Sequence, residues 1–153
     1  MCDSWHRGSY RISTDQREID FDMVHEFLTG SFWPPKTDRS TIEEATKRSM
    51  AFCVFYEPPG SGKSQQVGFA RVITDQVVLA YVLDVFILGA HRKQGLALWL
   101  METILSCSDL VRVRNWLLKT RDTHELYRKL GFVSLSDPER YMRLTNFDNA
   151  RGS

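Results

Sequence analysis

The stretch VVLAYVLDVFILGAHRKQGLALWL, Val77 to Leu100, changes its period midway. Val77 to Leu88 is a long, nearly all-apolar run broken only by Asp84, and its β-branched and aromatic residues read as a buried strand. From Gly95 to Cys107, apolar residues return at helical spacing (Leu96, Trp99, Leu100, Ile104, Cys107). The junction, His91-Arg92-Lys93-Gln94-Gly95, is locally costly. Helix N-termini favour negative charge, yet Arg92 and Lys93 put two cations there. No Asp, Ser or Thr caps the free amides, and Gly95 falls in the first turn, where alanine would be about 1 kcal/mol better. A ligand phosphate at that end explains all three: amides bind it, Arg92 and Lys93 neutralise it, and Gly95 admits close approach. The same residues also read as a basic surface turn that happens to precede a helix.

Working outward, Trp116-Leu117-Leu118 is a further strand, Thr123 to Leu130 a short helix and Tyr141 to Leu144 a last strand. Upstream, Ala51 to Tyr56 and Gln66 to Thr74 are strands joined by the turn-rich EPPGSGKSQ. Asp20 to Leu28 puts Phe21, Val24, Phe27 and Leu28 on one helical face, and Gly30 ends it. Ser40-Thr41-Ile42-Glu43 offers caps for a helix reaching Ser49, and Tyr10 to Ser13 can form a short strand after a polar lead. The order implies a mixed α/β (α+β) domain with helices flanking one sheet.

The chain has 153 residues, which suits a single core at 10–145 with polar tails at 1–9 and 146–153. Twenty basic and nineteen acidic side chains leave a net charge of +1, which argues against a general nucleic-acid surface. The apolar run at Val77 falls short of the roughly 20 residues a membrane helix needs, and MCDSWHRGSY has no signal-peptide core. Cys2, Cys53 and Cys107 are odd in number and widely spaced, which points to reduced thiols and a cytoplasmic setting. No cysteine has a partner at zinc-ligand spacing, and His6, His25, His91 and His124 are scattered, so no metal is expected. Gly60-Ser61-Gly62-Lys63-Ser64 imitates the end of a phosphate-binding P-loop. Glu57 stands where that pattern needs its first glycine, and the following QVGFARVIT is a strand rather than a helix. A nucleotide triphosphatase is therefore disfavoured.

Arg92-Lys93-Gln94-Gly95-Leu96-Ala97 resembles the (Q/R)-x-x-G-x-(G/A) signature of the GNAT superfamily of acetyl-CoA-dependent N-acetyltransferases, in its usual place between a long strand and an amphipathic helix. Leu126 to Phe132 is similar to a second hallmark of that family, a helix ending in Y-x-x-x-G-F. The resemblance covers approximately Tyr10 to Leu144. It implies a mostly antiparallel mixed sheet with one splayed parallel strand pair, the pantetheine arm lying in the opening. On that resemblance Val85, Phe86 and Ile87 offer backbone groups to the pantetheine and thioester carbonyl, where charge develops in the tetrahedral intermediate. Arg92, Lys93, Gln94, Gly95, Leu96 and Ala97 cradle the pyrophosphate, and Trp116 to Thr120 forms the other wall. Thr120 stands where family members often carry Asn.

Tyr127 is the expected acid for the departing thiolate, its helix held by an Asp122–Glu125 capping box and ended by Gly131. A tyrosine that only packs is the other reading. Asp84 is the candidate base, because a carboxylate inside an apolar strand is expensive without a purpose. An ion pair with Arg71 accounts for it equally well. Strand alternation places Asp84 opposite Tyr81, Leu83 and Val85. Trp33 and Tyr81 are the candidate acceptor contacts, and His124 is a further candidate base beside Tyr127. The expected activity is direct acetyl transfer from acetyl-CoA to a small-molecule amine, with the protein a monomer or homodimer. A protein lysine or N-terminal acetyltransferase and a non-catalytic acyl-CoA-binding module are the rivals.

Overall fold

The computed structural model describes residues 3–146. One six-stranded sheet runs in chain order: β1 (Ser4–Arg7), β2 (Tyr10–Ser13), β3 (Met50–Tyr56), β4 (Gln65–Thr74), β5 (Leu79–Ile87) and β6 (Asn115–Leu118). Every neighbouring pair is antiparallel except β5 and β6, which are parallel. The helices are α1 (Phe21–Thr29), α2 (Arg39–Lys47), α3 (Leu96–Ser106) and α4 (His124–Arg128).

Each sheet face buries one helical layer. Val24 and Leu28 of α1 and Ile42 of α2 pack on Ala51, Cys53, Phe55, Phe69 and Phe86. Leu96, Leu100, Met101 and Ile104 of α3 pack on Ile12, Phe52, Val54, Val67, Val72 and Val82. The hydrophobic effect drives both layers, and they share the central strands β3 and β4, which are buried on both sides. Asp20 caps α1 by accepting from the Met23 amide at 3.1 Å. Asp38, rather than the serine or threonine expected, sits at the cap of α2, with no side-chain bond.

The strand limits differ from the sequence reading in three places. Val77 and Val78 do not join β5, because Asp75 Oδ1 accepts from the amides of Val77, Val78 and Leu79 and turns the chain there. Ser4–Arg7, inside the segment read as a polar tail, is the edge strand of the sheet. Gly8, at φ +58°, makes the tight turn that returns the chain into β2. The strand expected over Tyr141 to Leu144 is not formed. Those residues follow a 3-10 turn at Pro138–Arg140, pair with no strand, and leave Met142 98% and Leu144 83% exposed.

The GSGKS segment is a β3–β4 hairpin loop with Gly60 and Gly62 at positive φ. Glu57 serves structure here: with Glu18 it grips Arg11 at 3.0 and 2.8 Å, and it accepts from Ser64 Oγ at 2.7 Å. Arg11 in turn lies 4.6 Å over the Phe55 ring. The guanidinium of Arg11 holds both carboxyls below the usual glutamate range. Depressed folded-state values mean that the network's stabilisation is present at neutral pH. It is lost as pH falls below the ordinary value of about 4.3 and through the depressed ones. Arg11→Met should therefore flatten the fall of urea midpoint with acid pH below that value, relative to the unsubstituted protein.

Gly68 is required by packing. A Cβ there would lie 2.7 Å from Ile87 Cδ1, which would have to turn aside, and 3.0 Å from both Cβ and Cγ2 of Val54 on the paired strand β3. Gly68→Val should cost about 1–3 kcal/mol of overpacking strain, read as a lower urea midpoint at unchanged slope.

Candidate active site

The site begins with a strand that outruns its neighbour. β5 pairs with β6 from Leu79↔Asn115 to Val82↔Leu118 and no further, yet β5 continues to Ile87. Leu83 to Ile87 therefore form a stretch whose β6-side backbone has no strand partner, while their other side is held by β4. An open wedge between two parallel strands results.

A bulge deforms β5 at the mouth of this wedge. Arg71 pairs with Leu83 and Phe69 with Phe86, so Asp84 and Val85 together oppose Ala70. Asp84 is left-handed at φ +58°, uncommon for a residue with a side chain. The bulge overturns the alternation expected from the sequence. Arg71 shares a face with its partner Leu83, and Asp84 bonds Arg71, so Asp84 lies with Leu83 and Tyr81 rather than opposite them. Val85 crosses over to pack on the α3 layer, and Phe86 returns to the α1 layer.

At the end of β5 the chain makes a 3-10 turn (Gly89–His91) and enters α3. Lys93 at φ +64° and Gly95 at φ +75° are both left-handed and flank Gln94. Gly95 is the N-cap of α3, with no side-chain cap bond, so it lies outside the first turn where the sequence placed it. Its reason is conformational: φ +75° favours glycine, so the helix pays no propensity cost. Arg92, Lys93, Gln94 and Gly95 are exposed, Leu96 is buried and Ala97 half-buried. Uncapped amides, the positive end of the helix dipole and two cations make this turn suited to an anion. Arg92 also straps the loop to the strand, donating from Nε to the Ile87 carbonyl at 2.9 Å.

Two supports of this turn were not found from the sequence. Arg7 directs its guanidinium at the carbonyls of Gln94 and Gly95, 3.5 Å from each, and stands 5.7 Å over Trp99. Tyr10 bridges His91 Nδ1 at 2.8 Å and Gln94 Oε1 at 3.3 Å, with Tyr56 against the same imidazole. The Gly8-Ser9 pair between short runs was the available hairpin signal, and it would have placed Arg7 and Tyr10 together.

Tyr127 on α4 is 7% exposed, belongs to the core on the α3 side of the sheet, and is edge-on to Phe132 at 5.8 Å. Burial pushes its phenol up, and the nearby Thr123 hydroxyl opposes that. Leu126 and Leu130 are only half-buried, and Tyr127 is the buried member of this helix. The expected Asp122–Glu125 capping box is absent: Thr123 is the N-cap, without a side-chain cap bond. Thr120 holds the turn instead, its hydroxyl 2.6 Å from that of Thr123 and accepting the Thr123 amide at 3.3 Å. Gly131, at φ +96°, ends the helix as expected, and the Phe132 amide returns to the Tyr127 carbonyl at 3.1 Å. His124 is exposed.

Asp84 occupies the ion pair that the sequence offered as the alternative to a base. Its Oδ2 accepts from Arg71 Nε at 2.9 Å, and its Oδ1 accepts from Trp33 Nε1 at 2.9 Å. Trp33 is thus half-buried and anchored in the α1–α2 loop rather than free to stack. Tyr81 is half-buried on the sheet face it shares with Ile73 and Leu117. Beyond the far end of α3, the ligand atoms of Asp3, Cys107 and Asp109 come within 4.8 Å of one another, away from the wedge. No helix among the described residues is long and apolar enough to cross a membrane.

Comparison with known proteins agrees with this geometry. The domain model described as "Acetyltransferase (GNAT) domain" matches residues 48–134, more than half of the chain. A Gibberella zeae protein named as an acetyltransferase is 27% identical over 141 residues, covering 82% of this chain and 80% of its own. A GNAT-family crystal structure from Xanthomonas campestris is 31% identical, covers 92% of this chain and 96% of its own, and superposes with a TM-score of 0.81. A Clostridium acetobutylicum structure solved with acetyl-CoA shares the fold at 14% identity, a TM-score of 0.61, and coverage of 89% of this chain and 94% of its own. With its splayed β5–β6 pair, its signature turn at the start of α3 and these matches, the chain belongs to the GNAT acetyltransferase family.

Proposed function

We propose that the protein transfers the acetyl group of acetyl-CoA to the primary amine of a small molecule by direct attack within a ternary complex. The observation that carries this reading is the wedge: β5 outruns β6 and ends at an uncapped, cation-bearing helix start. A pantetheine arm fits along the stretch Val85, Phe86 and Ile87 on the side that β6 leaves open, and the pyrophosphate at Arg92 to Ala97. Phe86 turns its backbone to β4 and the Ile87 carbonyl already accepts from Arg92, so the backbone of Val85 and the amide of Ile87 are the better contacts. Thr120 acts here by shaping the β6–α4 turn.

In the reaction, the amine nitrogen attacks the thioester carbon and the carbonyl oxygen gains negative charge. An amide of the bulged strand stabilises that charge without reorganising. The intermediate then collapses as the former amine nitrogen gives up its extra proton to water, the C–S bond breaks, and the thiolate takes a proton. Tyr127 is the proposed donor: a buried phenol with a raised pKa stays protonated at neutral pH and can give its proton to sulfur. Direct transfer is favoured over an acyl-enzyme because Cys53 and Cys107 are buried and their thiols are pushed up by burial, leaving little thiolate.

On the acceptor side, Phe27 stacks on Phe86 at 3.9 Å, Phe32 is 56% exposed, and Ile73 and Leu79 leave apolar surface uncovered near Tyr81. That lining supports a small amine with an apolar body rather than a polycation or a basic peptide.

Three outcomes follow. Acetyl-CoA should raise the melting temperature and ATP should not; stabilisation by ATP alone would remove the assignment. Tyr127→Phe should keep acetyl-CoA affinity and lower thiol release by up to about 10²–10⁴, and unchanged turnover takes Tyr127 out of the mechanism. Arg92→Glu should weaken acetyl-CoA binding, with the deficit shrinking as salt is raised, since screening acts on the lost attraction. Binding without thiol release against a panel of amines and peptides would leave an acyl-CoA-binding module, and release only with peptides would point to a protein acetyltransferase.

A further inference from the structure

Asp84 is a costly residue twice over. Its carboxylate is buried, with side-chain exposure of 5%, and its backbone is left-handed. Both costs are met by the same set of contacts. Trp33 donates to Oδ1 and Arg71 to Oδ2, each at 2.9 Å. Arg71, with side-chain exposure of 6%, also donates from Nη1 to Ser49 Oγ at 3.0 Å and lies 5.7 Å over the Trp33 ring. Ser49 Oγ donates on to the Ala45 carbonyl at 2.7 Å. The chain of contacts thus joins the α1–α2 loop, the α2–β3 junction, β4 and the bulge of β5.

We infer that Asp84 is a positioning residue which, through Trp33 and Arg71, fastens the acceptor-side loop to the bulged backbone of β5. The inference rests on the acetyl-transfer reading above for its kinetic consequences, though not for its structural ones. Protonating Asp84 in a catalytic cycle would leave the Arg71 guanidinium buried without its counter-charge, a poor property in a base. Holding Asp84 bonded keeps the left-handed bulge, and the bulge sets how the amides of Val85 and Ile87, on the side of β5 away from β4, face the wedge. The wall that receives acetyl-CoA and the loop that meets the acceptor are then one mechanical unit. A loop displaced by the wrong acceptor disturbs the oxyanion contact as well.

Trp33→Phe removes one donor while keeping an aromatic ring, and it tests the link without a substrate. Hydrogen exchange in the full-length protein, read by mass spectrometry, should speed up several-fold both in peptides covering 30–38 and in peptides covering 84–88. Faster exchange in 30–38 alone overturns the link. In kinetics, Trp33→Phe and Asp84→Asn should each lower kcat/KM by about ten-fold, fall short of additivity when combined, and keep the wild-type shape of the pH–rate profile. A loss of 10² or more in Asp84→Asn alone, with a changed profile, identifies Asp84 as the base and overturns the inference. A variant that only melts earlier, with exchange at 84–88 and kcat/KM unchanged, reduces the trio to packing and overturns it too. If the wild-type protein acetylates no amine, the functional reading fails while the exchange experiment still decides the link.

Discussion

The candidate site depends on β5 having two different neighbours along its length. On one side β4 accompanies it to Ile87; on the other, β6 leaves it after Val82. Parallel strands need a crossover, and here α3 supplies it, so the end of the free strand leads directly to a helix N-terminus. Unpaired backbone and unpaired helix amides therefore fall next to each other by topology. In a closed sheet the strand's polar groups would be satisfied internally, and only the helix amides would be left to meet a ligand.

Charge acts on this scaffold locally. A net charge of +1 over the whole chain says nothing about the turn at 92–95, where Arg92, Lys93 and, from the first strand, Arg7 converge. Arg7, itself exposed, directs its guanidinium at two carbonyls of the turn, whose peptide amides face the other way. Elsewhere the charges staple structure: Arg11 joins Glu18 and Glu57, and Arg71 joins Asp84. The basic loop that resembled a phosphate site is a hairpin whose glutamate faces Arg11.

Much of the architecture was readable because periodicity reports burial directly. The helices α1 and α3 and the strands β3, β4 and β5 follow from apolar spacing, since each packs on a large sheet. Failures concentrate where tertiary partners decide. Tyr141 to Leu144 has a strand's composition but no adjacent edge to bind it. Ser4–Arg7 has a poor strand composition, yet β2 offers it one. The signature turn at the start of α3 was legible as a resemblance. The face of Asp84 was not, because one extra residue in a strand reverses alternation and leaves no mark in hydropathy. The tie from Trp33 to Asp84 spans 51 positions and likewise has no local signal.

Arg7 and Tyr10 reach the turn at 91–95 from more than eighty positions away, which bears on the order in which the molecule assembles. Contacts at such separation carry a large loop-closure cost and form after local ones. The β1–β2 hairpin can close early, but its grip on the turn must wait until β3, β4 and β5 are in register beneath both. On that connectivity the turn at 91–95 is expected to be among the last parts of the domain to be fixed during folding.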